Sequence, residues 1–170
     1  MPDTVDDPLE RHDVELYLLR HADAGDPQAW QGDDAQRPLS AKGRRQAEQL
    51  GQFLAARGFS PDVVVSSPKT RALETAELVA QPLGASVTSD ERLGGALDLD
   101  TLAAIIDGLP GRRIVLVGHD PDFSELASTL CGAAYLALKK GALARLDVSL
   151  PLQPAGAILR WLLPPGLVAA

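Results

Sequence analysis

The segment Glu15–His21, ELYLLRH, decides the fold that we predict for this chain of 170 residues. Its run LYLL is typical of a buried strand, and the strand ends in Arg20 and His21 without a turn signal. A second apolar run, IVLV at positions 114–117, continues through a glycine into His119 in the same manner. Open α/β sheets bind ligands at the carboxyl ends of their strands. Two strands that each lead into a histidine therefore predict one shared site.

Strand and helix patterns alternate along the rest of the chain. Further strands are predicted at 62–65, 86–88, 113–117, 143–148 and 157–162, and helices at 40–58, 68–81, 99–108 and 120–130. Ser67 is the predicted cap of the second helix, with Pro68 at its first position and Arg71 in its first turn. The alternation predicts an α/β fold with a mostly parallel central sheet, helices on both faces and a closing hairpin at one edge.

The overall composition is typical of one globular domain and excludes several classes of partner. A net charge of -7 argues against nucleic-acid binding, because such binding depends on clustered basic residues. No apolar run approaches the roughly 20 residues that span a bilayer, so no membrane partner is expected. Residues 1–13 carry five carboxylates against one arginine and predict a disordered acidic tail before a single domain at 14–170. The single Cys131 fits a reducing compartment, and we expect a cytoplasmic protein.

The predicted sheet brings two arginines and two histidines to one edge. Arg20, His21 and His119 follow strands, and Arg71 lies where the next helix begins. Guanidinium groups match phosphate oxygens in bidentate geometry, and a neutral histidine can accept a phosphoryl group as a nucleophile. Both arginines should keep that histidine neutral by lowering its pKa. These residues predict a site for phosphoryl chemistry.

Motifs for other kinds of phosphate or metal chemistry are missing from the sequence. It contains no GxxxxGK[ST] loop, no HExxH pair and no CxxC pair, so we predict no metal and no cofactor. The loop after His21 has about 18 residues, a length that is usually functional or mobile. Arg37 lies in this loop and is expected either to reach the phosphate or to be a solvated loop arginine.

Four motifs, in order along the chain, resemble the histidine phosphatase superfamily, whose fold is called phosphoglycerate-mutase-like. These motifs are LLRHADA at 18–24, RPLS at 37–40, SSPKTRALETAE at 66–77 and LVGHDPDF at 116–123. Within the superfamily, the chain is similar to the short SixA-type phosphohistidine phosphatases. The resemblance implies that His21 is phosphorylated, that Arg20 and Arg71 bind the phosphate, and that His119 donates a hydrogen bond to it.

The residue that would protonate the leaving group is the open part of this prediction. In many members of the family it is a Glu after the fourth motif or an Asp directly after the second histidine. Glu91 is the tentative candidate of the first kind, with a surface charge as its equal alternative. Asp120 is the candidate of the second kind, but we prefer it as the cap of the next helix. Asp23 is a further possible acid, or a loop residue that forms an Asx turn.

The leading prediction is a metal-independent phosphatase that works through a phosphohistidine on His21 and acts on phosphohistidine in a protein. Imidazole is a good leaving group that needs little protonation. The lack of a clear proton donor in the sequence therefore favours phosphohistidine as the substrate. The resemblance also implies that Lys139 or Lys140, within LKKGALARLDV at 138–148, faces the substrate. The alternatives are a phosphatase for a small phosphorylated metabolite or nucleotide, and a phosphate-recognising binding module without catalytic turnover.

Overall fold

The computed structural model describes residues 12–169, which form one sheet with helices on both faces. Its strands within that range are β1 (Val14–Arg20), β2 (Val63–Ser66), β3 (Val87–Ser89), β4 (Arg113–Gly118), β5 (Leu143–Val148) and β6 (Ala157–Leu163). Its α-helices are α1 (Ala41–Ala55), α2 (Thr70–Ala80), α3 (Leu99–Asp107) and α4 (Asp122–Cys131). Short 3-10 turns occupy parts of the loops, including Asp34–Gln36 and Glu91–Gly94. None of the helices in the described range is long and apolar enough to cross a membrane.

The sheet has the strand order β3-β2-β4-β1-β5-β6. Strands β3, β2, β4 and β1 pair in parallel, whereas β5 runs antiparallel to β1 and β6 antiparallel to β5. The predicted α/β class, the mostly parallel sheet and the edge hairpin are therefore confirmed. Because β1 and β4 are parallel neighbours, their carboxyl ends lie side by side, with Arg20 opposite Gly118.

Strand β1 divides the core into two layers by alternation of its side chains. Leu16 and Leu18 pack on the side of α3 and α4. Tyr17 and Leu19 pack on the opposite side, against α1 and α2. Each leucine on this strand is fully buried, which contributes about 1.5–3 kcal/mol to folding. Both helix layers thus fix the position of the strand that leads to His21.

Helix α2 begins two residues later than the sequence predicts. Its first residue is Thr70, and the preceding Lys69 makes no side-chain cap hydrogen bond. The prediction that Ser67 caps this helix is wrong, because its hydroxyl oxygen accepts a hydrogen bond from the backbone N–H of Lys69 within the preceding turn, at 3.2 Å. Arg71 remains in the first turn of the helix, as predicted.

The predicted acidic tail, residues 1–13, falls mostly outside the described residues. Of this stretch the structure describes His12 and Asp13, and both contact the folded domain. The backbone N–H of Asp13 donates to the carbonyl of Val148 at 2.9 Å, and Arg112 donates to the carbonyl of His12 at 2.6 Å. Asp13 thus continues the hydrogen bonding of β1 beyond its first residue, and the extent of the acidic tail stays a prediction.

A buried glycine lets the loop after β1 pack closely on helix α1. A Cβ atom at Gly43 would lie 1.9 Å from the carbonyl oxygen of Asp23. Ser40 caps the helix by accepting from the N–H of Gly43 at 3.0 Å, and its own hydroxyl donates to the Asp23 carboxylate at 2.6 Å. The start of α1 thereby holds the segment that directly follows His21.

Candidate active site

The carboxyl ends of β1 and β4 bring His21 and His119 together. The backbone N–H of His21 donates to the carbonyl of Gly118 at 3.0 Å, which continues the parallel pairing past the last residue of β1. The two imidazole rings lie 5.3 Å apart, centroid to centroid. Arg71, from the first turn of α2, and Arg20, at the end of β1, complete the group. The four residues that the sequence predicted as a site therefore lie around one volume.

His21 is held as a neutral imidazole with a defined tautomer. Its ring is buried, with 7% of the residue exposed, and Nδ1 lies 2.7 Å from the carbonyl oxygen of Ala22. Since a carbonyl oxygen only accepts, Nδ1 carries the ring proton and the lone pair is on Nε2. Burial first, and then the charges of Arg71 and Arg20, lower the pKa of His21 from 6.5 to about 4, against the opposing effect of the Ala22 carbonyl. At neutral pH its Nε2 is therefore a free nucleophile.

His119 is positioned by a serine from the neighbouring strand end. Its Nε2 lies 2.7 Å from Oγ of Ser67, which follows β2 directly and is fully buried. Burial, and then the proximity of His21 and Arg71, lower the pKa of His119 from 6.5 to about 3. The ring is thus neutral at neutral pH and can donate one N–H to a bound anion.

The two arginines are anchored at one end and keep N–H donors available. Arg20 donates from one Nη to the carbonyl of Leu138 at 2.8 Å. Arg71 donates to the backbone carbonyl of Asp34 at 2.8 Å and lies 3.1 Å from the carboxylate of the same residue. Among the described residues, the buried Nε of Arg20 and the buried Nε of Arg71 have no hydrogen-bond partner. A phosphate between the arginines would satisfy these groups, which are otherwise costly to bury.

Arg37 supports the site without contacting either histidine. The alternative of a solvated loop arginine is wrong, since only 6% of Arg37 is exposed. It donates to the carbonyl of Ala24 at 2.6 Å and to the Asp34 carboxylate at 2.9 Å. The Asp34 carboxylate therefore lies between Arg37 and Arg71, and these hydrogen bonds hold its pKa below the usual range. The long loop after β1 is fastened to the site by this cluster.

The three candidate acids lie in different surroundings, and no described contact joins any of them to His21. Glu91 is exposed in the 3-10 turn after β3, and its carboxylate has no ion pair or hydrogen bond within residues 12–169. Asp120 is not the N-cap of α4, which is Pro121, but it accepts from the N–H and the hydroxyl of Ser124 in the first turn at 3.0 and 2.7 Å. Its carboxylate also lies 3.4 Å from Arg20. Asp23 accepts from the N–H of Gly25 at 3.2 Å, which is the predicted Asx turn.

Two residues of the site escaped the sequence prediction. Ser67 was interpreted only as a helix cap, and Asp34 was one of several polar loop residues. A signal for Ser67 exists, because it immediately follows an apolar strand, as Arg20 and His21 do at their own strand end. No local signal marks Asp34. Within residues 12–169, no group of three or more His, Cys, Asp or Glu side chains is arranged to hold a metal ion.

Comparison of the sequence with protein families gives a match to the histidine phosphatase superfamily (branch 1) over residues 16–95. An uncharacterised protein of Picosynechococcus sp. is 34% identical over 121 residues, which cover 69% of this chain and 73% of that protein. A protein of Salmonella choleraesuis named as the probable phosphoglycerate mutase GpmB is 33% identical over 118 residues, or 64% of this chain. The chain spans only 52% of the length of that second relative.

Solved structures share the fold over most of the chain. The protein histidine phosphatase SixA, complexed with tungstate, has a TM-score of 0.77 at 21% identity, over 90% of this chain and 98% of SixA. The putative phosphohistidine phosphatase SixA from Nakamurella multipartitia has a TM-score of 0.72 at 28% identity, over 88% of this chain and 94% of that one. Each likeness covers about nine tenths of this chain and shows that the fold is shared.

Proposed function

This chain belongs to the histidine phosphatase superfamily, and we propose that it hydrolyses a phosphoryl compound through a phosphohistidine formed on His21. The observation that carries the proposal is the state of His21. It is a buried imidazole whose Nδ1–H donates a hydrogen bond to the Ala22 carbonyl, beside Arg20 and Arg71. That arrangement leaves Nε2 unprotonated where a phosphate would bind.

In the first step, Nε2 of His21 attacks the phosphorus atom. A P–N bond forms as the bond from phosphorus to the leaving group breaks, and the leaving group departs with its electron pair and takes up a proton. Arg20 and Arg71 stabilise the charge on the equatorial oxygens in the transition state. His119, fixed by Ser67, donates a further hydrogen bond to these oxygens.

In the second step, water attacks phosphorus and His21 departs as a neutral imidazole. The proton on Nδ1 stays with the ring throughout, and the Ala22 carbonyl stabilises the positive charge that the phosphorylated ring carries. This hydrogen bond therefore favours the formation of the intermediate. Both steps use only residues of this chain, and no metal is required for them.

We further propose phosphohistidine in a protein as the substrate, in the manner of the SixA-type phosphatases. Imidazole has a pKa near 6.5 and leaves with little assistance, whereas an alkoxide needs a proton donor. The carboxylates of Asp23 and Asp120 are engaged with Ser40 and Ser124, respectively, which fits a substrate that needs little acid catalysis. The fold shared with the SixA structures supports the same substrate class.

A second candidate is a phosphatase for a small phosphorylated metabolite or nucleotide. The similarity to the probable phosphoglycerate mutase GpmB favours it, as does the fold shared with a putative α-ribazole-5'-P phosphatase from Escherichia coli, which has a TM-score of 0.71. The chemistry on His21 would be unchanged, and only the leaving group would differ. A third candidate is a phosphate-binding module without turnover. The arginines would bind phosphate in such a module, but the unprotonated Nε2 of His21 would have no role.

The proposal is tested by measuring phosphate release in the presence of EDTA. A phosphohistidine peptide and p-nitrophenyl phosphate are compared as substrates for the wild-type protein and for His21→Ala. We expect wild type to prefer the peptide, and His21→Ala to lose at least about 1,000-fold in kcat, because it lacks the nucleophile. His12→Ala is the matched control and should retain full activity, since His12 lies at the far end of β1.

Different failures would lead to different conclusions. If the protein hydrolysed only p-nitrophenyl phosphate, the proposed mechanism would stand, but the substrate would be a small phosphate ester. Tight binding of phosphopeptide without phosphate release, unchanged in His21→Ala, would support the binding module instead. Acid-labile labelling of wild type by a radioactive phosphoryl donor, lost in His21→Ala but present in His12→Ala, would identify the intermediate directly.

A further inference from the structure

A groove lined by positive charge continues from Arg20 away from the two histidines. It has a volume of about 470 Å³, and its charged lining residues are Arg20, Asp23, Lys42, Lys139 and Lys140. We call it the basic groove. It contains four cationic side chains and one carboxylate, in a chain whose net charge is -7. The local excess of positive charge therefore runs against the composition of the whole protein.

Backbone hydrogen bonds hold the segment that carries Lys139 and Lys140 next to the end of β1. Residues 139–142 form a tight turn in which the N–H of Ala142 donates to the carbonyl of Lys139 at 2.8 Å. Gly141 has a φ of 81°, the left-handed value that the third position of a type II turn needs. The N–H of Gly141 lies 3.1 and 3.0 Å from the carbonyl oxygens of Arg20 and His21. The position of the lysines relative to the nucleophile is thus set by the backbone.

Lysine residues occur in this chain only near the active site. The sequence contains four, of which Lys42, Lys139 and Lys140 line the basic groove. The fourth, Lys69, is close enough to lower the pKa of His119. Lys140 pairs with Asp23 at 3.7 Å, but Lys42 and Lys139 have no carboxylate within ion-pair distance among the described residues. Two exposed ammonium groups beside a phosphate site are thus available to a ligand.

We propose that the basic groove binds carboxylates on the substrate protein, namely Asp or Glu side chains that flank the phosphorylated residue. This inference rests on the proposed function, because it names the sequence context that the phosphatase selects. An open groove of this volume is far larger than one carboxylate requires, and it continues directly from Arg20, so a chain segment can lie in it while its phosphoryl group reaches His21. Steering by such charges acts on association and on specificity.

The test compares two phosphohistidine peptides of equal length, one with Asp and Glu flanking the phosphohistidine and one with Asn and Gln. Lys42→Glu and Lys139→Glu are made singly, because neither residue touches the reacting atoms in the proposed mechanism. Arg57→Glu is the matched control, because Arg57 is exposed and lies about 20 Å from Lys42 along the axis of α1. Its guanidinium contacts only Phe53 among the described residues, through a hydrogen bond to the carbonyl and stacking over the ring. All three substitutions change the net charge equally.

We expect each lysine variant to raise KM for the acidic peptide about tenfold, because an attraction becomes a repulsion. Its kcat, its KM for the neutral peptide and its turnover of p-nitrophenyl phosphate should stay within about twofold of wild type, as should every parameter of Arg57→Glu. Equal KM values for both peptides in wild type, with phosphate release intact, would overturn the inference and leave the phosphatase standing.

Two further measurements keep the inference separable from the proposed function. Binding of the fluorescently labelled acidic peptide, followed by anisotropy, requires no turnover and should weaken about tenfold in Lys139→Glu but not in Arg57→Glu. Kinetics with 3-phosphoglycerate and with glycerol 3-phosphate test a small-molecule source of the carboxylate, since only the first compound has one. If Lys139→Glu raised KM for 3-phosphoglycerate and left the acidic peptide unaffected, the substrate protein would be the wrong ligand.

Discussion

Acid should destabilise this protein through the buried His21, and the effect should disappear when His21 is replaced. The pKa of His21 is lowered from 6.5 to about 4 in the folded protein, chiefly by burial. Between these two values the unfolded chain binds a proton that the folded protein does not. The unfolded state is therefore favoured as the pH falls through this window, and the stabilisation is fully present only above about pH 6.5.

The size of the effect follows from the difference between the two pKa values. Over the whole window, a difference of this size corresponds to about 3 kcal/mol of unfolding free energy. At pH 4.5 about 2 kcal/mol of it has been lost relative to pH 7, since the folded-state pKa has almost been reached. In His21→Asn this contribution is absent, and the amide can still donate to the Ala22 carbonyl.

Urea denaturation at pH 7 and pH 4.5 measures the effect for wild type and for His21→Asn. We expect the free energy of unfolding to fall by about 2 kcal/mol more in wild type than in the variant over this interval. Carboxylates contribute to both proteins alike, so the difference between them reports His21 together with its effect on the pKa of His119. An identical loss in the two proteins would refute the conclusion that His21 is buried in its neutral form.

Three other substitutions test the contacts around the site. Asp34→Asn removes a carboxylate that competes with an anion for Arg71, so tungstate should inhibit about fivefold more strongly. Weaker inhibition would show that the carboxylate is needed to orient the guanidinium group. Ser67→Ala frees His119, and we expect about a tenfold lower kcat with KM nearly unchanged; a wild-type kcat would show that packing alone holds the ring. Gly43→Ala should lower the free energy of unfolding by about 1–3 kcal/mol in urea, whereas an unchanged midpoint would mean that α1 can shift without cost.

The sequence predicted those parts of the structure that depend on local patterns. Strand β5 has its predicted bounds, Leu143–Val148, because its apolar run starts after a glycine turn and ends before a polar segment. The convergence of His21 and His119 was predicted from parallel strand ends, which is a rule of topology and needs no side-chain detail. Local apolar runs combined with that rule are enough to place the four main site residues.

The contacts that aim those residues depend on packing between distant segments. Ser67 and His119 are 52 residues apart, and Asp34 and Arg71 are 37 residues apart. The loop that carries Asp34 has no periodic pattern, and the buried position of Arg37 follows from how that loop folds back on α1 and α2. Nothing in the neighbouring sequence distinguishes Asp34 from a solvated loop residue, so its role could not be predicted.

The distribution of charge explains how an acidic protein can bind an anion. The net charge of -7 repels phosphate at long range, but charges on the surface are screened beyond about 8 Å at physiological ionic strength. The cations that a phosphoryl group meets at contact distance are Arg20 and Arg71, beside His21. Both site histidines are neutral near neutral pH, so they add no positive charge to these permanent cations. Anion binding is therefore set by a few positioned cations at one sheet edge, and the acidic remainder of the surface disfavours anions elsewhere.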